Sequence, residues 1–226
     1  AFARLSAVRV DGRVWSQLRR LRAVAMVVIG FMAFLRKSEV TMLDRCDVVR
    51  EANCTKVRVC KAKNDPAGRG RQSIIGAGCG DSAELEQAIW DWVDVGCPAV
   101  SAQCTKAANP RARCTACGPL FVRLGGRDVR VTKTPIAKNT LTTELRGLYH
   151  GAQAAGVVED SFDPRRVSAI SLRRGGNTAA TAAGCSAILR AAAGRWRSVD
   201  TPDQSYVFLH ETEMVGMATT MLQPRL

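Results

Sequence analysis

The chain of 226 residues is long enough for one sizeable domain, and its apolar content of 46% argues against a wholly disordered chain. It carries 33 lysines and arginines against 20 acidic residues, a formal net charge of +13. A positive field of this size favours polyanionic partners, nucleic acid above all, with anionic lipid or a merely basic soluble protein as alternatives. No repeat or low-complexity linker divides the sequence, so we predict a single domain over residues 1–226.

Residues 12–35 have the periodicity of a long helix, amphipathic at first ("VWSQLRRLRAV") and then apolar on every side. The apolar run Ala23–Leu35 is shorter than the roughly 20 residues that cross a bilayer. We therefore predict a buried core helix here and no membrane partner.

A hairpin and a second helix come next. The stretches "KVRVCKA" (56–62) and "RQSIIG" (71–76) alternate like paired strands, and the turn residues between them predict a basic hairpin tip. The segment "DSAELEQAIWDWVDVG" predicts a helix from an N-cap at Asp81 or Ser82 to Gly96. Residues 97–140, rich in Pro, Cys, Gly and Arg, predict a loop with one short strand near "PLFVRL".

Helical patterns fill the remainder of the chain. One helix is predicted from Thr140 to Gly156, another over "RRVSAISLRRGGNTAATAAG" to Gly184, and a short third over "SAILRAAAG". A last helix begins at Thr201, followed by proline at its first position. The expected fold class is mainly α with a small antiparallel β-sheet (α+β).

Nine scattered cysteines indicate reduced thiols in an intracellular protein, nuclear or cytoplasmic, because their number is odd and no secretory signal precedes them. Cys114 and Cys117 form a C-x-x-C, with Cys97 and Cys104 upstream. A zinc site is the less favoured alternative, because the spacing lacks a second close pair.

An arginine-rich span runs from Pro164 to Val199 and contains no acidic residue and no lysine. Arginine binds phosphate oxygens through two parallel N–H bonds, so placed phosphate contacts are expected here. The predicted DNA contacts are Arg165, Arg166, Arg174, Arg195 and Arg197. Gly175 and Gly176 lack side chains, so backbone or DNA can approach closely there; a simple helix interruption is the alternative.

Several separated residues complete an ordered set. Arg36 lies in "FLRKSEV" with Glu39 three residues on, Lys63 at the hairpin tip, Arg173 in "SLRRGG", Trp196 in "GRWRS", and Tyr206 ten residues later. This order resembles the catalytic domain of the tyrosine recombinases, or phage integrase family. The strings "SLRRGGNT", "GRWRS" and "YV" are most similar to the recombinases of eukaryotic DIRS-like retroelements. The resemblance runs from about residue 15 to residue 212.

The resemblance implies a DNA-cleaving and rejoining enzyme of a mobile element. Tyr206 would attack a phosphodiester, leaving a 3′-phosphotyrosine, while Lys63 protonates the departing 5′-oxygen as general acid. Arg36 and Arg173 would neutralise the nonbridging oxygens, and Trp196 would donate its indole N–H to the phosphate.

The resemblance has further implications. Glu39 stands where the family has an acidic residue that supports the site. No metal or other cofactor is implied. The implied partners are double-stranded DNA and further copies of the chain, as a tetramer on paired sites.

Each residue taken alone has a simpler explanation. Arg36 fits a helix-end charge stabilised by the helix dipole, and Lys63 fits solvated hairpin polarity, with Lys61 competing for its role. Trp196 and Tyr206 fit structural aromatic residues. The functional interpretation depends on all of them in order.

The sequence departs from the family in two respects. The family's "H-x-x-R" box has Ile170 in place of histidine, and isoleucine neither donates nor accepts a hydrogen bond. The family's N-terminal DNA-clamp domain is expected to be absent. A catalytically decayed DNA-binding module on the same fold is therefore the alternative, with a chance match in a basic nucleic-acid-binding protein as a more remote one.

Overall fold

Most of the regular secondary structure is helical, and the remainder consists of short antiparallel strands. The computed structural model describes residues 9–10, 13–60, 70–76, 81–106, 110, 112–159, 161 and 163–202. The helices are α1 (Gln17–Met32), α2 (Lys37–Met42), α3 (Asp81–Gly96), α4 (Thr140–Ala154), α5 (Ala169–Ala182) and α6 (Ala187–Gly194). The strands are β1 (Arg9–Val10), β2 (Arg13–Val14), β3 (Val48–Glu51), β4 (Cys54–Val59), β5 (Arg71–Gly76), β6 (Val122–Gly125) and β7 (Arg130–Pro135).

Helix α1 lies at the centre of the fold and confirms the predicted core helix. The hydroxyl of Ser16 accepts the backbone N–H of Arg19 at 3.1 Å and caps its first turn. Every residue from Arg22 to Gly30 is buried, because this stretch packs against α3, α4 and α5. Among the described residues, none of the helices is long and apolar enough to cross a membrane.

Strands β4 and β5 confirm the predicted hairpin, with Val57 opposite Ser73. Val57, Val59 and Ile75 point into the core. Strand β3 adds an edge to this sheet that the sequence did not predict, because three of its four side chains are exposed and its pattern does not alternate. The hairpin tip, residues 61–69, lies outside the described residues.

The prediction of one short strand within residues 97–140 is wrong for β7, which pairs with β6 in a second hairpin. None of the side chains of β7 is fully buried, so hydrophobic alternation does not mark it. The hairpin pairing places Leu124 opposite Val131, and both contact the main core. Residues 97–121 between α3 and β6 contain no helix or strand in their described part.

The C-terminal helices follow the predicted order. Helix α4 ends at Ala154, two residues before Gly156, whose φ is +68°. Helix α5 begins at Ala169 rather than at the arginine pair, because Pro164–Arg166 forms a separate 3₁₀ turn. The helix predicted from Thr201 falls almost wholly on residues 203–226, which lie outside the described residues. The architecture confirms the expected fold class.

Candidate functional site

The site begins at the N-terminus of α2, where Arg36 and Glu39 form a reciprocal pair. The backbone N–H of Arg36 donates to Glu39 Oε2 at 2.8 Å, which is one half of a capping box. The Arg36 guanidinium donates to Glu39 Oε1 at 2.9 Å. The Glu39 side chain is 1% exposed and that of Arg36 is 28% exposed, so the arginine reaches solvent over a buried carboxylate.

Two further guanidinium groups converge on the same carboxylate. Arg195 Nη2 lies 2.9 Å from Glu39 Oε2, and Arg173 Nη1 lies 4.0 Å from that oxygen. One carboxylate therefore faces three arginines, and the cluster retains surplus positive charge. Burial lowers the pKa of the Arg195 guanidinium, and the charge of Glu39 opposes that shift.

Arg173 and Trp196 lie in contact, and both side chains are buried. The Arg173 guanidinium sits over the Trp196 ring, 4.3 Å from its centroid, in cation–π geometry. Its two terminal nitrogens donate to the carbonyl oxygens of Phe34 and Gly194. Phe34 adopts a left-handed φ of +51° just after α1, which places its carbonyl within reach of α5.

The glycine pair in α5 serves helix packing. A Cβ at Gly176 would lie 2.2 Å from the carbonyl oxygen of Phe31 and 2.7 Å from the Phe34 ring. A Cβ at Gly175 would lie 3.3 Å from the Phe31 ring. As expected, a backbone segment approaches the glycine pair closely, and that segment is the C-terminal end of α1. This contact brings Arg173, three residues before Gly176, against the Phe34 carbonyl.

The expectation that Arg195 contacts DNA is corrected by its burial. Its side chain is 1% exposed, and Nη1 donates to Ser73 Oγ at 2.6 Å and to the Ala193 carbonyl at 2.9 Å. A left-handed φ of +57° turns the backbone inward at the end of α6. Arg195 therefore positions Glu39 and connects it to Ser73 on β5.

The other four predicted DNA contacts are exposed. Arg165 is paired with Asp163 at 3.1 Å, yet its side chain is 86% exposed. Arg166 also lies in the 3₁₀ turn before α5, Arg174 lies on α5, and Arg197 follows Trp196. Their guanidinium groups are accessible to a polyanion.

A cleft of about 400 Å³ opens between the start of α2 and the start of α5. It is lined by Arg36, Lys37, Ser38, Thr142, Ser168, Ala169, Ile170 and Arg173. Ile170 is 47% exposed, so the position that carries histidine in the family faces this cleft with a side chain that cannot bond an anion. Lys63, its competitor Lys61 and Tyr206 lie outside the described residues.

A cluster of four cysteines includes three of those that the sequence grouped as the less favoured zinc site. The sulfur atoms of Cys46, Cys104, Cys114 and Cys117 all lie within 4.8 Å of one another. Cys97, which the spacing suggested as a companion, is not part of the cluster; its Sγ–H donates to the Leu120 carbonyl oxygen at 3.3 Å. The missing partner is Cys46, which is too distant in sequence for a spacing rule to find.

No family model matches the sequence, and no curated protein is significantly similar to it. Among solved structures, the chain is similar to XerH site-specific recombinase bound to a palindromic difH substrate in a post-cleavage complex. The TM-score is 0.61 at 15% identity, over 94% of this chain and 49% of that one. The pre-cleavage complex of XerH with difH gives a TM-score of 0.54 at 13% identity, over 95% of this chain and 50% of that one. The chain thus spans about half the length of these recombinases, and its fold is that of a tyrosine recombinase catalytic domain.

Proposed function

We propose that the protein is a site-specific DNA recombinase or integrase of a mobile element, of the DIRS-like kind, acting through a 3′-phosphotyrosine intermediate. The observation that carries this proposal is the convergence of Arg36, Glu39, Arg173 and Trp196. They come from the start of α2, from α5 and from the segment after α6, and two of them, Arg36 and Arg173, line the same open cleft. If the motif similarity arose by chance, these four side chains would have no reason to lie together in the fold.

The charge balance of the cluster suits a phosphate in its transition state. Three guanidinium groups face one buried carboxylate; the side chains of Arg173 and Arg195 are as buried as that of Glu39, and the side chain of Arg36 reaches solvent. A phosphodiester under attack gains negative charge on its nonbridging oxygens, and preorganised cations stabilise that charge more than they stabilise the substrate. Arg36 is the guanidinium with the most solvent access, so it is placed to meet DNA first.

The proposed reaction is an in-line exchange at phosphorus. The Tyr206 phenolate oxygen bonds to phosphorus as the bond to the 5′-oxygen breaks, and Lys63 supplies the proton that makes the 5′-hydroxyl. A 5′-hydroxyl from the second strand reverses these steps and restores a phosphodiester. Arg173 takes part by exchanging one of its carbonyl partners, Phe34 or Gly194, for a phosphate oxygen.

The alternative function is a DNA-binding module without cleavage activity, and Ile170 is the observation that favours it. The side chain lines the same cleft as Arg36 and Arg173 and offers no hydrogen bond. Such a module would keep the arginine surface and bind duplex DNA in a salt-dependent manner. For either function we propose double-stranded DNA as the partner and an oligomer on paired sites as the assembly. The proposed location is the nucleus or the cytoplasm.

A suicide-substrate assay tests the proposal. The protein is incubated at low salt with nicked duplexes of randomised core sequence, so that cleavage releases a short fragment and traps the covalent complex. A denaturing gel then detects the adduct, and mass spectrometry of the digested complex locates the modified residue. Tyr206→Phe is the test variant, and Tyr149→Phe is the matched control at the only other tyrosine.

The expected result is an adduct that persists in Tyr149→Phe and is lost in Tyr206→Phe. DNA binding without any adduct would instead support the module lacking cleavage activity. In that case Ile170→His should restore the adduct if the missing imidazole is the cause. Failure to bind DNA at low salt would refute both functions.

A further inference from the structure

The sulfur cluster is built from two separate parts of the chain. Cys46 lies in the 3₁₀ turn Arg45–Asp47 that follows α2. Cys104, Cys114 and Cys117 lie in the long irregular segment between α3 and β6. The Sγ atoms of Cys104 and Cys114 are 3.7 Å apart, and Cys46, Cys114 and Cys117 are buried.

These cysteines are not part of the main hydrophobic core. Within the described residues, Cys46, Cys114 and Cys117 form a hydrophobic cluster of their own, and only Cys104 is packed against it. No side chain from the main core takes part in that cluster. Cys97, by contrast, packs against the main core as a small hydrophobe does.

The sulfur spacing is compatible with a tetrahedral metal site, since all four sulfurs lie within 4.8 Å of one another. Zinc binds thiolates at about 2.3 Å, so two sulfurs at the corners of a tetrahedron around it lie about 3.8 Å apart. The observed separation of 3.7 Å between Cys104 and Cys114 agrees with this edge. A disulfide would require about 2.05 Å.

The C-x-x-C turn already holds its sulfurs in place. The backbone N–H of Cys117 points at Cys114 Sγ at 3.4 Å, and the N–H of Gly118 closes the turn on the Cys114 carbonyl at 2.8 Å. Gly118 has a φ of +69°, which glycine adopts without strain. The N–H of Cys114 donates to Asp44 Oδ2 at 2.8 Å, an outer contact that fixes the ligand turn to the end of α2.

We propose that Cys46, Cys104, Cys114 and Cys117 bind one zinc ion as thiolates. Each thiol gives its proton to solvent on binding, so the site fills most readily at neutral or higher pH. Four protein ligands close the coordination sphere, which is the pattern of a structural zinc site. The ion ties the segment that carries Cys104, Cys114 and Cys117 to the turn after α2, and the proposal holds whether or not the chain cleaves DNA.

Metal content of the intact chain is the primary test. The protein is expressed in zinc-supplemented medium, passed through a chelating column to strip loose metal, and analysed by plasma mass spectrometry. We expect one zinc per chain. Replacement by Co²⁺ should give thiolate-to-cobalt charge-transfer bands and the intense visible bands of tetrahedral cobalt.

Variants separate the four ligands from the other cysteines. Cys114→Ser should abolish binding, whereas Cys97→Ser and the exposed Cys185→Ser should keep one zinc per chain. Cys104→His keeps a zinc ligand at the most accessible position and guards against variants that fail to fold. It should retain zinc and weaken the charge-transfer bands of the cobalt form by about one thiolate in four.

Thiol titration after denaturation in chelator completes the test, with nine reactive thiols expected per chain. The proposal is overturned by a folded protein with no metal and free thiols, or by four missing thiols, which would mean two disulfides. Stoichiometric iron in place of zinc would overturn it too, since tetrahedral thiolate sites also suit iron. Equal zinc loss in Cys97→Ser and Cys114→Ser would refute the ligand assignment.

Discussion

Replacing Glu39 by glutamine tests whether the arginine cluster is held together by this one carboxylate. The substitution keeps the size of the side chain and one carbonyl oxygen, and removes the negative charge. Arg195, whose side chain is 1% exposed, then loses the charge of Glu39, and Arg173 loses the anion 4.0 Å from it. The amide group also turns N–H donors toward guanidinium donors, which cannot accept them.

The magnitude follows from burial. Removing one partner of a buried ion pair costs about 3–5 kcal/mol, because the remaining charge stays desolvated. Glutamine retains one acceptor oxygen for Arg36 or Arg195, so we expect a loss near the lower end, about 3 kcal/mol. For a domain of this size, that corresponds to a fall in melting temperature of roughly 6–12 °C.

Urea unfolding followed by circular dichroism provides the measurement, with Glu51→Gln as the matched control. Glu51 lies closer to its partner, 2.6 Å from Lys56 Nζ, but both side chains are substantially exposed. An exposed pair is screened by water, so the control should unfold with the wild type. A Glu39→Gln curve that coincides with the wild type at unchanged slope would refute the idea that this carboxylate organises the site.

Three further predictions follow from single contacts. Gly176→Ala should destabilise the protein by about 1–3 kcal/mol in urea, since its Cβ meets backbone at 2.2 Å, whereas Gly76→Ala adds a Cβ with nothing within 4 Å and should not. Arg174→Ala should reduce the magnitude of the negative slope of log K against log salt in DNA titrations by about one; an unchanged slope would show that Arg174 makes no phosphate contact. Asp44→Asn should cost about 3 kcal/mol of unfolding free energy, because buried Lys106 loses this carboxylate while keeping Asp47, and the partly exposed Arg113 loses it too; the exposed Asp91→Asn should be neutral.

The sequence predicted elements whose side chains alternate between core and solvent, or are buried throughout. Helix α1 and the β4–β5 hairpin carry such patterns, so their periodicity was enough to locate them. Strands β3 and β7 were missed because the partner strand holds them by backbone bonds, while most of their side chains stay in solvent. Backbone pairing leaves no trace in side-chain periodicity.

The site was predictable only where order along the chain carried the information. The resemblance assigned Arg36, Glu39, Arg173 and Trp196 to one site, and the structure brings these four together. The arginine-rich composition of residues 164–199 could not distinguish a buried arginine from an exposed one, so Arg195 was predicted to contact DNA. That distinction depends on backbone conformation at the end of α6, which composition does not encode.

The arginine cluster around Glu39 and the cysteine cluster lie near opposite ends of α2. Because α2 is short, its stability depends on contacts at both ends. A helix of six residues is too short to be stable by itself in water. Its N-terminus is fixed by Glu39, which bonds the Arg36 N–H and Arg195. Its C-terminus is fixed by Arg113, whose guanidinium donates to the carbonyls of Thr41 at 2.6 Å and Leu43 at 3.0 Å.

Arg113 immediately precedes a zinc ligand, Cys114, so the proposed metal anchors the residue that caps α2. Lys106 reinforces the same connection at 2.5 Å from Asp44 Oδ2, and burial of this amine is more than offset by the two nearby carboxylates, which raise its pKa. The irregular segment therefore acts on the arginine cluster through one short helix. Loss of the metal should loosen the C-terminal end of α2 first and Glu39 only through it, which makes the cluster sensitive to a site that touches no DNA.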